Sequence, residues 1–542
     1  MFKDVIKYFR QISMIPRGSG NEKGISDYLV TFAKSHELSY TQDKSLNVII
    51  KRPAADECAG REPVILQAHR DMVCEKTDDS LKDLSKDPVD LIFFRKTKDG
   101  KQKKVDPDDI DAVSKALSEN NLFLTADRTT LGGDDGIGVA IALALLSDKE
   151  LSAPAIEFVC TVSEEIGMIG ASKIDLSELQ GKKLINLDSD DEGYFMLGCA
   201  GGGLVKVSHP ATRTFPDTEP DDLEALKITL DGCTGGHSGS CAVTGRANAI
   251  YELFKVLKDV IKEVRFRLLY LTGGGKDNAI PRSAEAHIVF KAENKKKIIE
   301  IISKDAKDLK ERYRETDPGL DLRYAEETYE VHLDAKVGGN LLDAQLITDK
   351  GNTAPVPEEV LTPILYEDTR DFISLVLALP NGLVSMMKSD NPLMKNLPET
   401  SLNLGILELT RDNFSIGYLV RSQSEKGYCT LTAQMKEIAK SAGASYSVSG
   451  VYPAWEYEQD TELYRELADL YEKLYKKKPI PVVIHAGVEC GLMIDRISGC
   501  EAVSIGPDMN DIHTTEETLD LASSERVYDF VRAYLSGEGL EG

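Results

Sequence analysis

The segment PVILQAHRD, residues 63–71, decides the fold class. It is a short, continuous apolar run that ends in a histidine, an arginine and an aspartate. Runs of this kind are typical of strands buried on both faces of a largely parallel sheet. Similar runs occur at 155–162, 183–188 and 501–506, and a helix-like run occupies 136–146. We therefore predict an α/β domain with a largely parallel central sheet.

The middle of the chain differs in character from its two ends. Residues 1–200 and 451–542 alternate strand-like and helix-like runs, whereas 201–450 are more polar and mix long strands with long helices. We predict a catalytic domain built from 1–200 and 451–542, with 201–450 inserted as an α+β domain. The length of 542 residues agrees with more than one domain. No internal repeat is visible in the sequence.

The amino-acid composition of the chain excludes some classes of binding partner. The formal net charge is −25, and so acidic a surface repels nucleic acid and anionic membranes. The nine cysteines are odd in number and none form a C-x-x-C pair, which is typical of reduced thiols in a cytoplasmic protein. No stretch approaches the ~18 continuous apolar residues of a membrane span. We expect a cytoplasmic protein that binds neither nucleic acid nor membrane.

Histidines and carboxylates follow five strand-like runs. Ligands of open α/β sheets collect beyond the carboxyl ends of the strands, so this placement points to one shared site. Alone, each residue has a simpler explanation as a hydrogen-bonded structural histidine or a helix cap, but the coincidence at all five runs favours function. The residues are His69, Asp134, the pair Glu164 and Glu165, Asp188 and His513.

Two imidazoles and three carboxylates form a ligand set suited to divalent metal ions. Zinc fits this set, and manganese or cobalt would also fit. A carboxylate can bridge two cations ~3.5–4 Å apart. Asp134 suits that role because the glycines beside it permit close backbone approach. Asp135 is its neighbour, so the sequence leaves open which of the two bridges.

Two further acidic groups complete the predicted chemistry. Asp71 stands two residues beyond His69 and could accept the second ring N–H of that histidine. The side chains of two adjacent residues at the end of a strand point in different directions. One member of the pair Glu164 and Glu165 can therefore bind metal while the other acts as general base towards water.

Three other motifs compete and are disfavoured. The segment GHSGS at 236–240 approaches the serine-hydrolase elbow, but its last position is serine and no acid-then-histidine order follows. The segment from Asp188 resembles a calcium loop, yet its twelfth position is Cys199. At 273–276 the sequence GGGK resembles a phosphate loop that lacks the first glycine and the final serine or threonine.

Along nearly its whole length the sequence resembles the co-catalytic zinc metallopeptidases, which include aminoacylases, carboxypeptidases and dipeptidases. It is most similar to the dipeptidase branch, with Xaa-His or broad specificity. The resemblance rests on ordered segments: VILQAHRDMV (64–73), TTLGGDDGIG (129–138), TVSEEIGMIGA (161–171), LINLDSDDEG (184–193), GCAGG (198–202), GGHSGS (235–240), NAIPR (278–282), SLNLG (401–405), VRS (420–422), IHAGVECGL (484–492) and SIGP with His513. The segment 95–120 is longer than the family equivalent.

The resemblance implies a role for each candidate in the catalytic domain. Two zinc ions would be bound, with a general base beside them. The implied roles are His69 and Asp188 for one ion, Glu165 and His513 for the other, Asp134 as the bridge, Glu164 as the general base and Asp71 to orient His69.

The resemblance also implies a zinc-exopeptidase-like catalytic domain with a ferredoxin-like lid. In the lid, His237 and Asn278 would face the scissile carbonyl, and Arg421 would bind the terminal carboxylate of a small peptide. Closure of the lid would bring them to the metals. Each also has a structural explanation as a turn residue or an ion-pair partner. A homodimer through the lid is a further implication.

We therefore expect metal-dependent hydrolysis of dipeptides. The enzymatic alternative is an amidohydrolase of N-acyl amino acids that uses the same two metals. The alternative of another class is a metal-binding scaffold without catalysis, which predicts loss of ligands or of the base, and no such position is vacant in this sequence.

Overall fold

The computed structural model describes residues 2–214, 222–334, 341–348, 361–392, 394–458 and 460–537. The first part of the chain contains α1 (Phe2–Ser13), α2 (Lys23–Ser35), β1 (Ser39–Gln42), β2 (Val48–Arg52), β3 (Val64–His69), β4 (Leu91–Lys96), β5 (Gln102–Lys104), α3 (Ile110–Ser118), β6 (Phe123–Ala126), α4 (Gly133–Ser147), β7 (Ile156–Thr161), α5 (Ile169–Lys173), β8 (Lys183–Asn186) and β9 (Tyr194–Cys199).

The middle and the end of the chain contain the remaining elements. In the middle are β10 (Gly201–Pro210), β11 (Leu223–Asp231), β12 (Gly236–His237), α6 (Ala249–Glu263), β13 (Phe266–Gly274), β14 (Ala279–Ile280), β15 (Ala284–Lys291), α7 (Lys295–Arg312), β16 (Asp321–Asp334), β17 (Leu341–Thr348), α8 (Tyr366–Ala378), β18 (Gly382–Met386), β19 (Pro398–Leu409), β20 (Asn413–Ser422), α9 (Glu425–Ser441) and β21 (Ser445–Tyr452). At the end are α10 (Glu462–Tyr475), β22 (Ile480–Ile484), α11 (Glu489–Arg496), β23 (Glu501–Ser504), β24 (Met509–Asn510), β25 (Thr518–Asp520) and α12 (Leu521–Ser536).

The chain forms two compact units. The first unit joins Met1–Cys199 with Trp455–Gly542, and the second is Ala200–Ala454. The first unit is therefore discontinuous in sequence, since the chain leaves it after β9 and returns before α10. Among the described residues, which include all nine cysteines, every cysteine is free. Within the same residues, no helix combines the length and apolar character needed to cross a membrane.

The first unit is organised around an eight-stranded sheet of order β1-β2-β7-β3-β8-β23-β9-β22. Its centre is parallel, because β3 pairs in parallel with β7 and β8, and β8 with β23. Every residue of β3 and β7 is buried, as their continuous apolar runs predict. Helix α4 packs against β3. The predicted largely parallel α/β sheet is confirmed, with antiparallel β1 and β2 added at one edge.

A second sheet in this unit corrects one prediction. Strand β6 belongs to an antiparallel sheet of order β24-β25-β6-β4-β5 and not to the central sheet. The expectation that five strand ends of one sheet deliver the candidate ligands is therefore wrong for two of them. Asp134 lies in the first turn of α4, and His513 follows β24 of the second sheet. The long segment 95–120 forms part of this second sheet and α3.

The second unit contains a large antiparallel sheet of order β17-β16-β11-β15-β13-β19-β20-β10-β21, with β18 paired to β19. The run β11-α6-β13-β15-α7-β16 has the spatial strand order 4-1-3-2 of a ferredoxin-like βαββαβ motif. The predicted α+β, ferredoxin-like character of this part is therefore confirmed. Apolar residues of α6, α7, α8 and α9 form a core with the strands.

The second unit also contains a duplication that the sequence does not show. Strands β10, β19, β20 and β21, with helices α8 and α9, repeat the βαββαβ order, and the first motif is inserted after β10. The two motifs meet where β13 pairs with β19, the second strand of each. The two halves of this unit therefore share one topology.

Candidate metal centre

Three of the five candidate ligands follow adjacent strands of the central sheet. His69 is the last residue of β3, while Glu165 and Asp188 follow β7 and β8 within four residues. His513 lies in the loop after β24. Asp134 approaches from the first turn of α4. Because β7, β3 and β8 are neighbours, their carboxyl ends deliver His69, Glu165 and Asp188 to one edge of the sheet.

Asp134 lies between the two histidines. Its Oδ1 is 2.8 Å from Nε2 of His69, and its Oδ2 is 3.0 Å from Nε2 of His513. Each imidazole also has a carboxylate of its own, since His69 Nε2 is 3.3 Å from Asp188 Oδ1 and His513 Nε2 is 2.9 Å from Glu165 Oε1. The geometry therefore consists of two half-sites that share one carboxylate.

Asp135 plays a different part from Asp134. It is fully buried and accepts hydrogen bonds from the backbone N–H of His69 at 3.2 Å and of Gly138 at 3.1 Å. Neither imidazole Nε2 contacts it among the described pairs. Of the two adjacent aspartates, Asp134 is therefore the one whose carboxylate faces both half-sites.

Asp71 organises the loop that carries both glutamates. Its carboxylate accepts hydrogen bonds from the backbone N–H of Glu164 at 3.0 Å and of Glu165 at 3.3 Å, and from the hydroxyl of Ser19 at 2.7 Å. Its Oδ1 also lies 3.5 Å from Nδ1 of His69, on the ring side opposite Asp134. Asp71 therefore holds the glutamate loop through hydrogen bonds and lies beside the ring of His69.

The concentration of negative charge shifts the ionisation of the whole cluster. Burial alone would lower the pKa of His69, but Asp188 and Asp134 raise it well above its ordinary value. Burial also opposes a charged His513, but Asp134 and Glu165 raise the pKa of His513 to about 11. Burial, with the charges of Asp134 and Glu165 added, raises the pKa of Asp188 to about 7. The buried carboxylates of the cluster therefore favour the binding of positive charge, as protons or as metal cations.

The residues fit divalent cations. Ligand atoms of His69, Asp134 and Glu165 all lie within 4.8 Å of one another. Oε1 of Glu165 is buried and, in the described part of the chain, makes no hydrogen bond of acceptable geometry although it lies beside His513. An imidazole and carboxylate oxygens that converge in this way form a nitrogen and oxygen donor set suited to zinc, manganese or cobalt.

Comparisons with known proteins identify the family of this chain. The model of Peptidase family M20/M25/M40 matches residues 132–536. The cytosol non-specific dipeptidase of Escherichia coli (strain K12) is 32% identical over 516 residues, which cover 95% of this chain and 93% of that protein. The chain belongs to peptidase family M20/M25/M40. The predicted family is confirmed, and membership in a peptidase family confirms the predicted hydrolase.

Solved structures of the M20/M25/M40 type share the fold. The aminoacylhistidine dipeptidase of Vibrio alginolyticus has a TM-score of 0.72 and 29% identity, and the match covers 98% of this chain and 96% of that one. A tripeptidase of Staphylococcus aureus has a TM-score of 0.50 at 14% identity, over 99% of this chain and 98% of that one. The second likeness shows the fold alone.

The three predicted substrate residues of this M20/M25/M40 chain lie in the second unit. His237 Nε2 is 3.2 Å from Nη2 of Arg421, whose Nη1 donates to the hydroxyl of Tyr452 at 3.2 Å. Asn278 is exposed, and its backbone carbonyl accepts the N–H of Ser238 at 2.8 Å. The structure therefore brings His237 and Arg421 together and places Asn278 beside the same turn.

The competing serine-hydrolase interpretation finds no support in the M20/M25/M40 chain. The hydroxyl of Ser238 is buried and has no hydrogen-bond partner within the described residues. A nucleophilic serine requires a base within hydrogen-bond reach. Ser238 is therefore not activated in this arrangement.

Sequence reasoning missed three buried charged residues around the M20/M25/M40 centre. Glu22 accepts hydrogen bonds from the backbone and hydroxyl of Ser163, directly before the glutamate pair. Arg17 and Glu517 contact the backbone that precedes Asp134. Charged side chains are usually exposed, so nothing in the local sequence marks these as buried. The spacing of Glu517, four residues after His513, is the only available signal.

Proposed function

We propose that the chain is a metal-dependent dipeptidase that binds two divalent ions, most simply zinc, in the two half-sites. The observation that carries the proposal is the position of Asp134, whose two oxygens face the two imidazoles separately. The two dipeptidases similar to this chain support the substrate class. The short distances from His69 to Asp188 and from His513 to Glu165 support the predicted pairing of His69 and Asp188 for one ion and of His513 and Glu165 for the other.

In the proposed reaction, Glu164 carries the proton. Divalent ions at this site would supply Lewis acidity, which lowers the pKa of water and polarises a peptide carbonyl. Glu164 is half-buried, and it lies within electrostatic range of His69, Asp188 and Glu165. Its carboxylate would accept a proton from the attacking water and donate it to the leaving amine. Asp71 would hold Glu164 in place through the backbone N–H.

The substrate's carboxylate would be bound by Arg421. This guanidinium is 5% exposed and is fixed by Tyr452 and His237, so a two-pronged contact with a carboxylate would need little ordering. We propose that His237 and Asn278 bind the scissile carbonyl. A requirement for a free terminal carboxylate favours short peptides over long ones.

A chelation experiment tests the proposed function. Dipeptide hydrolysis should fall to the level of buffer after dialysis against a chelator, and added Zn²⁺, Mn²⁺ or Co²⁺ should restore it, because water activation requires the ions. The panel should contain Xaa-His and other dipeptides, tripeptides and N-acyl amino acids. Faster turnover of N-acyl amino acids would instead identify the amidohydrolase alternative. Hydrolysis that the chelator leaves unchanged would contradict the proposal.

Replacement of Arg421 tests the carboxylate contact. We expect Arg421→Lys to raise KM for a dipeptide by about tenfold or more, since a charge-assisted two-pronged contact is lost. The matched control is the same dipeptide with a C-terminal amide, for which wild type and variant should have similar KM values. A KM increase of the same size for acid and amide would show that Arg421 does not bind the carboxylate.

We further propose that the protein acts in the cytoplasm, as the name of the Escherichia coli relative states for that protein. Small peptides are its proposed partners. The homodimer through residues 201–450 stays a prediction, which the mass of the native protein in solution would test.

A further inference from the structure

One buried carboxylate connects two of the ligand-bearing loops. The turn 131–133, directly before Asp134, directs three backbone N–H groups towards Glu517, at 2.8, 3.0 and 2.7 Å. Glu517 is only 2% exposed and lies four residues after His513. The loop of His513 is therefore tied to the turn that carries Asp134.

A buried arginine contacts the same turn and ties it to the loop of His69. The Nη1 group of Arg17 donates to the carbonyl of Arg70 at 2.9 Å and to that of Asp71 at 3.3 Å. Its Nη2 group donates to the carbonyl of Gly132. Arg17 is also 2% exposed. Glu517 therefore binds the N–H groups of the turn before Asp134, and Arg17 binds a carbonyl of the same turn.

The glycines of the turn allow this close approach. Gly132 has a φ of +69°, and a Cβ added there would lie 2.6 Å from Nη2 of Arg17. A Cβ on Gly133 would lie 3.1 Å from Oε1 of Glu517. Side chains at these positions would push Arg17 and Glu517 away from the backbone. The two glycines before Asp134 therefore serve the contacts of Arg17 and Glu517.

The charges of these two residues are balanced within the unit. Burial lowers the pKa of Arg17, and the charges of Glu517 and Asp71 oppose that shift. Burial of a carboxylate costs free energy unless donors and positive charge compensate it. Glu517 receives three N–H bonds at the start of α4, where the helix dipole also favours a negative charge. A neutral amide at this position would therefore bind the turn less strongly.

The loop of His513 depends on such support. His513 has a φ of +63° and Asp511 a φ of +53°, in the left-handed region that non-glycine residues adopt at a cost in free energy. Conformations of this kind persist only where the surroundings hold them. Glu517, four residues beyond His513, joins this loop by hydrogen bonds to the turn before Asp134.

We propose that Glu517, with Arg17 behind the turn, is a positioning residue that sets the separation of His513 from Asp134. It thereby controls the affinity of the half-site formed by His513 and Glu165 for its ion. The inference rests on the proposed two-ion centre. Residues that orient metal ligands without touching the metal typically change its affinity 10–100-fold, by order of magnitude.

The test is a titration of the metal-free protein with Zn²⁺ against a chromophoric chelator. We expect Glu517→Gln to weaken the affinity for one of the two Zn²⁺ ions by roughly 10–100-fold. The affinity for the other ion should stay within about threefold of the wild-type value. The matched control is Glu157→Gln. Glu157 is 3% exposed and accepts two backbone N–H bonds at 2.9 Å each, but it lies near the start of β7, away from the ligands. This control should bind both ions as wild type does.

The outcomes separate a positioning role from a merely structural one. The proposal would be overturned if Glu517→Gln bound both ions with wild-type affinity. It would also be overturned if Glu157→Gln lost the same affinity as Glu517→Gln. If Glu517→Gln does not fold, Glu517→Asp keeps the charge but is too short to reach all three N–H groups, and it should show a smaller loss at one ion only. Unchanged binding in that variant would also overturn the proposal. A wild-type protein that binds fewer than two ions would contradict the proposed function instead.

Discussion

Replacement of Asp134 by Ala is expected to remove both ions and to lower dipeptide hydrolysis on the order of a thousandfold or more. Asp134 is the carboxylate common to both half-sites, with one oxygen facing His69 and the other facing His513. Its loss leaves each imidazole with one carboxylate and no link between them. The measurement is elemental analysis of the purified variant together with its kcat.

A neighbouring acid provides the control for Asp134. Asp190 is exposed and lies within electrostatic range of Asp134 and His513, but no described contact joins it to either imidazole. Asp190→Asn should therefore keep two ions and most of the activity. If Asp134→Ala retains two ions, or if Asp190→Asn loses them as readily, the shared carboxylate is not the centre of the site.

Replacement of Glu164 by Gln is expected to leave both ions bound and to reduce kcat a hundredfold or more. The amide is close to the carboxylate in size but cannot accept the proton of the attacking water. The backbone N–H of Glu164 still donates to Asp71, so the loop should keep its conformation. The measurement is kcat for a dipeptide with metal content determined on the same sample.

The adjacent glutamate gives the contrasting result. Glu165 Oε1 lies 2.9 Å from Nε2 of His513, so Glu165→Gln should lose one ion in addition to activity. The two variants differ by one position in the chain, and the pair therefore separates proton transfer from metal binding. Near-normal turnover by Glu164→Gln would exclude Glu164 as the general base.

The central sheet could be predicted because its strands carry their own signal. The runs that became β3 and β7 are continuously apolar, and in the structure every residue of both is buried. A histidine or carboxylate directly after such a strand has little freedom in where it points. The positions of His69, Glu165 and Asp188 at one sheet edge followed from this alone.

The origin of Asp134 could not be predicted in the same way. The run at 123–126 is strand-like, but its partners β4 and β25 are distant in sequence, and strand pairing decides sheet membership. The duplicated βαββαβ order of the second unit was hidden for a related reason. Its first motif interrupts the second, so no fixed period appears along the chain.

The supporting charges were missed for a physical reason. Arg17 and Glu517 are each 2% exposed, whereas charged residues are rarely buried, and a local sequence pattern does not reveal such burial. Their partners are backbone groups of the turn 131–133 and of the segment after His69. Contacts to backbone leave no complementary residue type in the sequence from which to infer them.

Anomalous X-ray diffraction at the zinc absorption edge, from crystals of the zinc-loaded protein, tests the central claim most directly. Two peaks are predicted on either side of Asp134, one beside His69 and Asp188 and the other beside His513 and Glu165. A single peak, or peaks that do not flank the Asp134 carboxylate, would contradict the two-ion centre.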